Sequence, residues 1–181
     1  TAYSYILRGK MKYELGDFQG AVKDYEMAIE LKPFEEKYQY YRFMALYEDG
    51  QYPEALEAVN RLTEINSSFY GYYYYKGNVY QQLDQYDSAI FMYNIAILKN
   101  SRNADSYFQR AKAYFQTGET LRALEDFDTA IQRDTSDPAY YAERGNCKFA
   151  LDDLEGACKD WEQANIMGYY EDFSAFQRRC Q

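Results

Sequence analysis

Residues 73–96 read YYYKGNVYQQLDQYDSAIFMYNIA, and three positions in this stretch decide the fold. The residue types at Ala89, Tyr93 and Ala96 recur every 34 residues along the chain. The first position is occupied by Ala21, Ala55, Ala89, Ala123 and Ala157, the second by Tyr25, Val59, Tyr93, Phe127 and Trp161, and the third by Ala28, Leu62, Ala96, Ala130 and Ala164. Five copies in register, without an insertion, indicate an array of one repeated supersecondary unit.

Each copy is predicted to form two helices joined by a tight turn. A Gly or Asp in each turn ends one helix and starts the next, at 15–17, 49–51, 83–85, 117–119 and 151–153. No alternating strand pattern is present, so the predicted fold class is all-α. We expect a single array with repeats at about 1–34, 35–68, 69–102, 103–136 and 137–168, and a capping helix at 169–181.

Small residues recur where the two helices of a copy are expected to meet. We expect Gly9 opposite Ala21 and Gly145 opposite Ala157, so that the backbones approach closely. The aromatic positions are then expected to fill the space between successive pairs. The second copy has Phe43 instead of a small residue, so it must either push its pair apart or turn its ring toward a neighbour.

The 34-residue period, the predicted helix pairs and the order of Gly, Tyr, Ala, aromatic and Ala residues resemble the tetratricopeptide repeat. The match is fullest at Tyr73, Lys76, Gly77, Tyr80, Tyr86, Ala89, Tyr93 and Ala96. The resemblance implies a right-handed superhelical solenoid of antiparallel helix pairs. It also implies that the first helices line a concave groove and the second helices form the outer face.

One face of each first helix is therefore expected in the groove. These candidate binding residues are Tyr3, Ile6, Lys10, Tyr13, Tyr40, Met44, Tyr47, Tyr74, Asn78, Gln81, Phe108, Lys112, Phe115, Asn146 and Phe149. Aromatic residues outnumber charged ones here, and rigid exposed rings are frequent anchors for partners. Asn78 and Asn146 are expected to bond a peptide backbone. For any single tyrosine, packing inside the fold is the competing interpretation.

The composition excludes several functions. The net charge is −9, which argues against a general nucleic-acid binder, and no stretch is long and apolar enough to span a membrane. The chain has no histidine and no glycine-rich phosphate loop, so we predict no catalytic residue, cofactor or metal. Acidic residues such as Asp126 and Asp128 are interpreted as a solvated surface. The three cysteines, Cys147, Cys158 and Cys180, are expected to be free and mostly buried thiols.

These patterns predict a non-enzymatic scaffold or adaptor that binds a peptide or partner helix in an aromatic-lined groove. The alternative is a structural module that self-associates, or part of a longer array, without a free peptide ligand. The alternative is favoured by the first repeat, whose N-terminal face has no predicted lid, so further repeats or a partner are expected ahead of Thr1. Cytoplasm and periplasm are both compatible with the sequence.

Overall fold

The computed structural model describes residues 1–169 and Cys180, and the regular secondary structure of these residues is entirely helical. The helices are α1 (Ala2–Glu14), α2 (Phe18–Leu31), α3 (Glu36–Glu48), α4 (Tyr52–Ile65), α5 (Tyr70–Gln82), α6 (Tyr86–Lys99), α7 (Ala104–Gln116), α8 (Thr120–Arg133), α9 (Pro138–Ala150) and α10 (Leu154–Ile166). The predicted all-α class is confirmed. The capping helix predicted at 169–181 lies, apart from Tyr169 and Cys180, outside the described residues.

The chain forms two compact units, Thr1–Gln85 and Tyr86–Gln181. In the first unit α1 packs on α2, α2 on α3, α3 on α4 and α4 on α5. In the second unit the same holds from α6 to α10. The predicted repeat boundaries, and the prediction that the repeats form one array, remain predictions.

The turns that join the two helices of each repeat have the conformation that the sequence predicts. A residue with positive φ stands at the same position in all five copies, with φ between 55° and 82°, at Gly16, Gly50, Asp84, Gly118 and Asp152. Glycine enters this left-handed region without strain, and Asp is among the few other residue types found there. The next helix then starts from a capping residue in several copies. For example, the carboxylates of Asp17 and Asp153 each accept a backbone N–H bond at 2.9 Å.

Two small positions of the first helices, Gly9 and Gly145, lie against an aromatic ring of the same pair. A Cβ on Gly9 would lie 2.6 Å from Cε1 of Tyr25, and one on Gly145 would lie 2.6 Å from Nε1 of Trp161. These two rings therefore also fill space within their own pair, which the expectation of rings between successive pairs did not include. Tyr25 does both, because its ring centroid is also 5.6 Å from that of Tyr41 in the next pair.

Phe43 takes the second of its two predicted options. Its ring is 1% exposed and lies 5.4 Å from the ring of Tyr75 on α5, measured between centroids. The ring of Tyr47 on its own helix is 5.9 Å away. The side chain thus fills space between α3 and α5, and burying such a ring stabilises the unit by about 1.5–3 kcal/mol.

Candidate functional site

A cleft of about 270 Å³ opens between α1 and α3 in the first unit. The residues that line it are Lys10, Tyr13, Glu14, Tyr25, Tyr40, Tyr41 and Met44. Four of these, Lys10, Tyr13, Tyr40 and Met44, belong to the groove face predicted from the sequence. The structure therefore brings four of the candidate residues together around one concave surface.

The cleft has a rigid aromatic floor. Tyr25 is buried on α2, with its ring over Gly9 and beside Tyr41. Burial, and then the neighbouring Tyr41, Tyr13 and acidic groups, raise the pKa of Tyr25 to about 12. The phenol is consequently neutral at physiological pH and serves as packing surface rather than as a proton donor in chemistry.

The two ends of the cleft differ in charge. Lys10 Nζ lies 4.4 Å from the centroid of the Tyr41 ring, and Lys37 Nζ lies 5.9 Å from it. Burial raises the pKa of Tyr41, but the bonds from the two lysines outweigh burial, and its pKa is below the usual value. At the other end the pKa of Tyr13 is raised, first by burial and then by Glu48 and Glu14. The cleft is therefore basic near Tyr41 and acidic near Tyr13.

The α3 wall of the cleft is held by ring contacts with α5. Tyr40 packs on Tyr75 with ring centroids 5.8 Å apart, and their hydroxyl oxygens are 3.4 Å apart. Met44 is half-buried one helical turn further along the wall. Because the rings are fixed by their neighbours, they offer binding area at a small cost in side-chain entropy.

Other predicted groove residues pack in the fold. Ile6 is 5% exposed and Phe108 is 8% exposed, and both belong to hydrophobic cores. For these two residues the prediction of an accessible groove position is wrong, because neighbouring helices cover them. The ring of Tyr140 on α9, for instance, lies 4.7 Å from that of Phe108. Tyr47 packs on Tyr52, with 5.6 Å between ring centroids.

The remaining candidates of the first unit lie outside the cleft lining. Tyr3 is exposed at the start of α1, and Tyr74, Asn78 and Gln81 are half-buried on α5. The bonds expected between Asn78 and a peptide backbone remain a prediction.

In the second unit the candidate residues make contacts within the fold. Lys112 Nζ lies 5.6 Å from the Phe108 ring centroid, and Phe115 packs against the same core. Asn146 accepts a bond from Trp161 Nε1 at 3.1 Å and donates one to Glu143 at 3.2 Å. Phe149 packs on Trp161, with centroids 5.8 Å apart. Both the oxygen and the nitrogen of the Asn146 amide thus form bonds within the fold. The expected bond between Asn146 and a peptide backbone is not supported.

Three arginines at equivalent repeat positions, which were not singled out from the sequence, join neighbouring helices within their units. Arg110 binds Asp126 of its own pair through Nε and Nη2, at 2.7 Å each, and Asn94 of the preceding helix through Nη1 at 2.6 Å. Arg144 repeats this arrangement, with Nε and Nη2 on Asp160 at 2.8 and 2.6 Å, and Nη1 on Asp128 at 2.7 Å. Arg8 binds Asp24 in the same way within the first pair.

These bonds correct the interpretation of the acidic residues. Asp126 is buried rather than solvated, and Asp128 is bound by an arginine. Burial lowers the pKa of Arg144, but the bonds to Asp160 and Asp128 outweigh it and raise the pKa above the usual value. The signal was present in the sequence, since Arg8, Arg110 and Arg144 each have an Asp sixteen residues later. The carboxylates are therefore structural, and the described residues contain no cluster suited to a metal ion.

The cysteine prediction is wrong for two of the three residues. Cys158 on α10 forms a disulfide with Cys180, 22 residues later. Cys147 is a free, buried thiol, as predicted, and burial followed by the charge of Asp128 raises its pKa to about 11. The sequence did not suggest the bridge, because Cys180 follows the last 34-residue copy. The repeat pattern therefore does not predict where Cys180 lies relative to α10.

The structure combines packed helical pairs, a cleft between first helices and ion pairs at repeated positions. These features are typical of helical-repeat proteins. A family model for the tetratricopeptide repeat matches residues 6–68, and a model for the anaphase-promoting complex, cyclosome, subunit 3 matches residues 82–159. The chain is a tetratricopeptide-repeat protein. As a class, such proteins are scaffolds that bind other proteins or peptides.

Solved structures have the same fold. MamA (residues 41 to the end) from Desulfovibrio magneticus RS-1 is 18% identical, with a TM-score of 0.83 over 94% of this chain and 97% of that one. TTC0263, a thermophilic TPR protein from Thermus thermophilus, is 19% identical, with a TM-score of 0.74 over 99% and 96% of the two chains. YrrB, described as a TPR protein with an unusual peptide-binding site, is 17% identical, with a TM-score of 0.75 over 99% and 92%. No curated protein matches the sequence.

None of the helices in the described part of the chain has the length and apolar composition of a membrane span.

Proposed function

We propose that this protein is an adaptor that binds a peptide segment or a partner helix through the face formed by its first helices. The cleft between α1 and α3 is the principal contact in the first unit. The single observation that supports this most strongly is the cleft itself, in which Lys10, Tyr13, Tyr40 and Met44 surround one concave surface. Concave surfaces with apolar walls and few polar groups are the usual ligand sites of proteins.

The charges around the cleft suggest the chemistry of the ligand. Tyr13, Tyr40 and Met44 provide apolar wall, so an apolar side chain of the ligand is expected between α1 and α3. Glu14 and Glu48 lie close enough to Tyr13 to raise its pKa, and a basic group of the ligand is expected at that end. The net charge of −9 favours a ligand with some basic character over an acidic one. The proposed role is non-enzymatic.

A matched pair of methionine substitutions tests the assignment. Peptides are first selected from a random linear library displayed against the unmodified protein, and their affinities for Met44→Ala and Met27→Ala are then measured. Met44 lines the cleft, whereas Met27 lies on α2 and is exposed. We expect Met44→Ala to weaken the selected peptides about tenfold, because it removes apolar contact at the centre of the site. Met27→Ala is expected to change the affinity by less than about twofold.

Circular dichroism of both variants provides the control for folding. Equal weakening by the two substitutions, or no effect of Met44→Ala in a folded protein, would show that the cleft is not the binding site.

A further inference from the structure

The two ends of the cleft carry opposite charges on exposed side chains. Lys10 and Lys37 lie at one end, with Nζ 4.4 and 5.9 Å from the centroid of the Tyr41 ring. Glu14 and Glu48 lie at the other end. All four of these residues are exposed, and they are called the cleft charges below.

Other charges of the first unit are paired inside the fold. Lys12 on α1 lies 2.9 Å from a carboxylate oxygen of Asp24, and Arg42 on α3 lies 3.1 Å from one of Glu26. Within the part of the chain that the structure describes, the cleft charges form no ion pair of this kind. The two lysines and the two glutamates are therefore available to the charges of a ligand.

The repeat position of the two glutamates supports a role toward a ligand. Glu14 is the last residue of α1, and Glu48 is the last residue of α3. A carboxylate is unfavourable there, because the C-terminal end of a helix dipole is negative. The equivalent last residues of α5, α7 and α9 are uncharged, and they are Gln82, Gln116 and Ala150. The unfavourable charge thus occurs on the two helices that wall the cleft, where a basic group of a ligand would offset it.

The order of the charges is the same along both walls. Helices α1 and α3 run in the same direction, because α2 packs on both of them and the chain reverses at each tight connection. Lys10 precedes Glu14 by about 6 Å along α1, and Lys37 precedes Glu48 by about 16 Å along α3. Alternate side chains of an extended peptide point to one side, and the first and third of them are about 13 Å apart. Three such side chains match the length over which the cleft changes from basic to acidic.

We propose that the cleft recognises an extended segment of a partner protein in which an acidic and a basic residue flank an apolar residue at alternate positions. The acidic side chain lies at the two lysines, the apolar one against Tyr13 and Met44, and the basic one at the two glutamates. A carboxylate bonds an ammonium group more strongly than a neutral acceptor does, so the lysines turn from Tyr41 to the ligand. This inference rests on the function proposed for the cleft.

Three displayed libraries of nonapeptides serve as the probe. Each has leucine in the centre, fixed charged residues two positions before and after it, and uncharged residues elsewhere. The mixed library carries aspartate and lysine in either order, the second carries two lysines, and the third carries two aspartates. Recovery on the unmodified protein is compared with recovery on Lys10→Glu and Lys23→Glu. Lys23 is exposed on α2 outside the cleft lining, so it is the matched control for the change in net charge.

We expect the mixed library to be recovered at least about tenfold better than either of the others, because only its members complement both ends. Lys10→Glu is expected to shift the preference to the two-lysine library, whereas Lys23→Glu leaves the order unchanged. Best recovery of the two-lysine library on the unmodified protein would overturn the proposal, since the net charge of −9 alone favours it. Equal recovery of the three libraries, or the same response to both substitutions, would also overturn it.

The acidic end is tested by Glu48→Lys, with Glu57→Lys at an exposed position of α4 as the control. A lysine suits the C-terminus of α3, so the variant is expected to fold, which circular dichroism checks. We expect Glu48→Lys to shift the preference toward the two-aspartate library and Glu57→Lys to leave it unchanged. No shift in folded Glu48→Lys would overturn the assignment of the basic residue to this end.

Met44→Ala separates this inference from the proposed function. If the substitution weakens recovery at least about tenfold but the mixed library has no advantage, the cleft is the binding site and the charge pattern is wrong. If recovery does not depend on Met44, both proposals are overturned.

Discussion

Gly145 and Gly9 show how single residues set the spacing of a helical pair. A Cβ at Gly145 would lie 2.6 Å from Nε1 of Trp161 and 3.2 Å from the carbonyl oxygen of Ala157. Real Cβ atoms do not approach heavy atoms as closely as 2.6 Å, so the indole and the α10 backbone would have to move. That indole also donates to Asn146 and packs on Phe149, which makes the displacement costly.

We therefore expect Gly145→Ala to lower the free energy of unfolding by about 1–3 kcal/mol, despite the higher helix propensity of alanine. The matched control is Gly71→Ala. There the nearest atom is Cε1 of Phe69 at 2.5 Å, and it belongs to an exposed ring that can rotate away. Urea titration followed by circular dichroism measures both variants. Equal losses at the two glycines would contradict the account of Gly145.

At the scale of the helical pair, the buried arginine contacts matter more than the exposed ion pairs. Arg110 and Asp126 have side-chain exposures of 18% and 9%, and Arg110 also reaches back to α6 through Asn94. Burial lowers the pKa of Arg110, but the bond to Asp126 outweighs it and keeps the guanidinium charged. Removing one partner leaves the other charge buried without a counter-charge, whereas replacing both residues leaves no buried charge.

We expect Asp126→Leu to cost about 3 kcal/mol of unfolding free energy, and the double substitution Arg110→Met with Asp126→Leu to cost clearly less. Chemical denaturation of the two single variants and the double variant gives the coupling between the residues. Glu155→Gln, in the exposed pair with Lys159, serves as the control and is expected to change stability by less than about 0.5 kcal/mol. A double variant less stable than Asp126→Leu would contradict this expectation, because it would show that Arg110 stabilises the fold without Asp126, for example through Asn94.

The periodicity of the sequence was sufficient to predict the helical pairs and their turns. Alanines at a strict 34-residue interval, and a Gly or Asp at each turn, specify local structure that tertiary contacts do not override. The candidate site was harder to predict, because accessibility depends on what the next helix presents. Phe108 is buried since Tyr140 covers it, while Met44 remains on an open wall. Helical spacing alone places both residues on the predicted groove face of their helices.

At the scale of the whole molecule, the proposed function depends on α1 and α3, the two helices that form the walls of the cleft. Helix α1 contributes Lys10 and Tyr13, and α3 contributes Tyr40 and Met44. The proposed function therefore requires contact between a ligand and these wall residues.

Photo-crosslinking measures this contact directly. Met44 and, as the control, Met27 are each replaced by benzoylphenylalanine, and each protein is irradiated with a peptide selected against the unmodified chain. We expect a covalent adduct between the peptide and the protein substituted at Met44, with little or none from the protein substituted at Met27. Adducts from Met27 alone, or in equal yield from both positions, would contradict it.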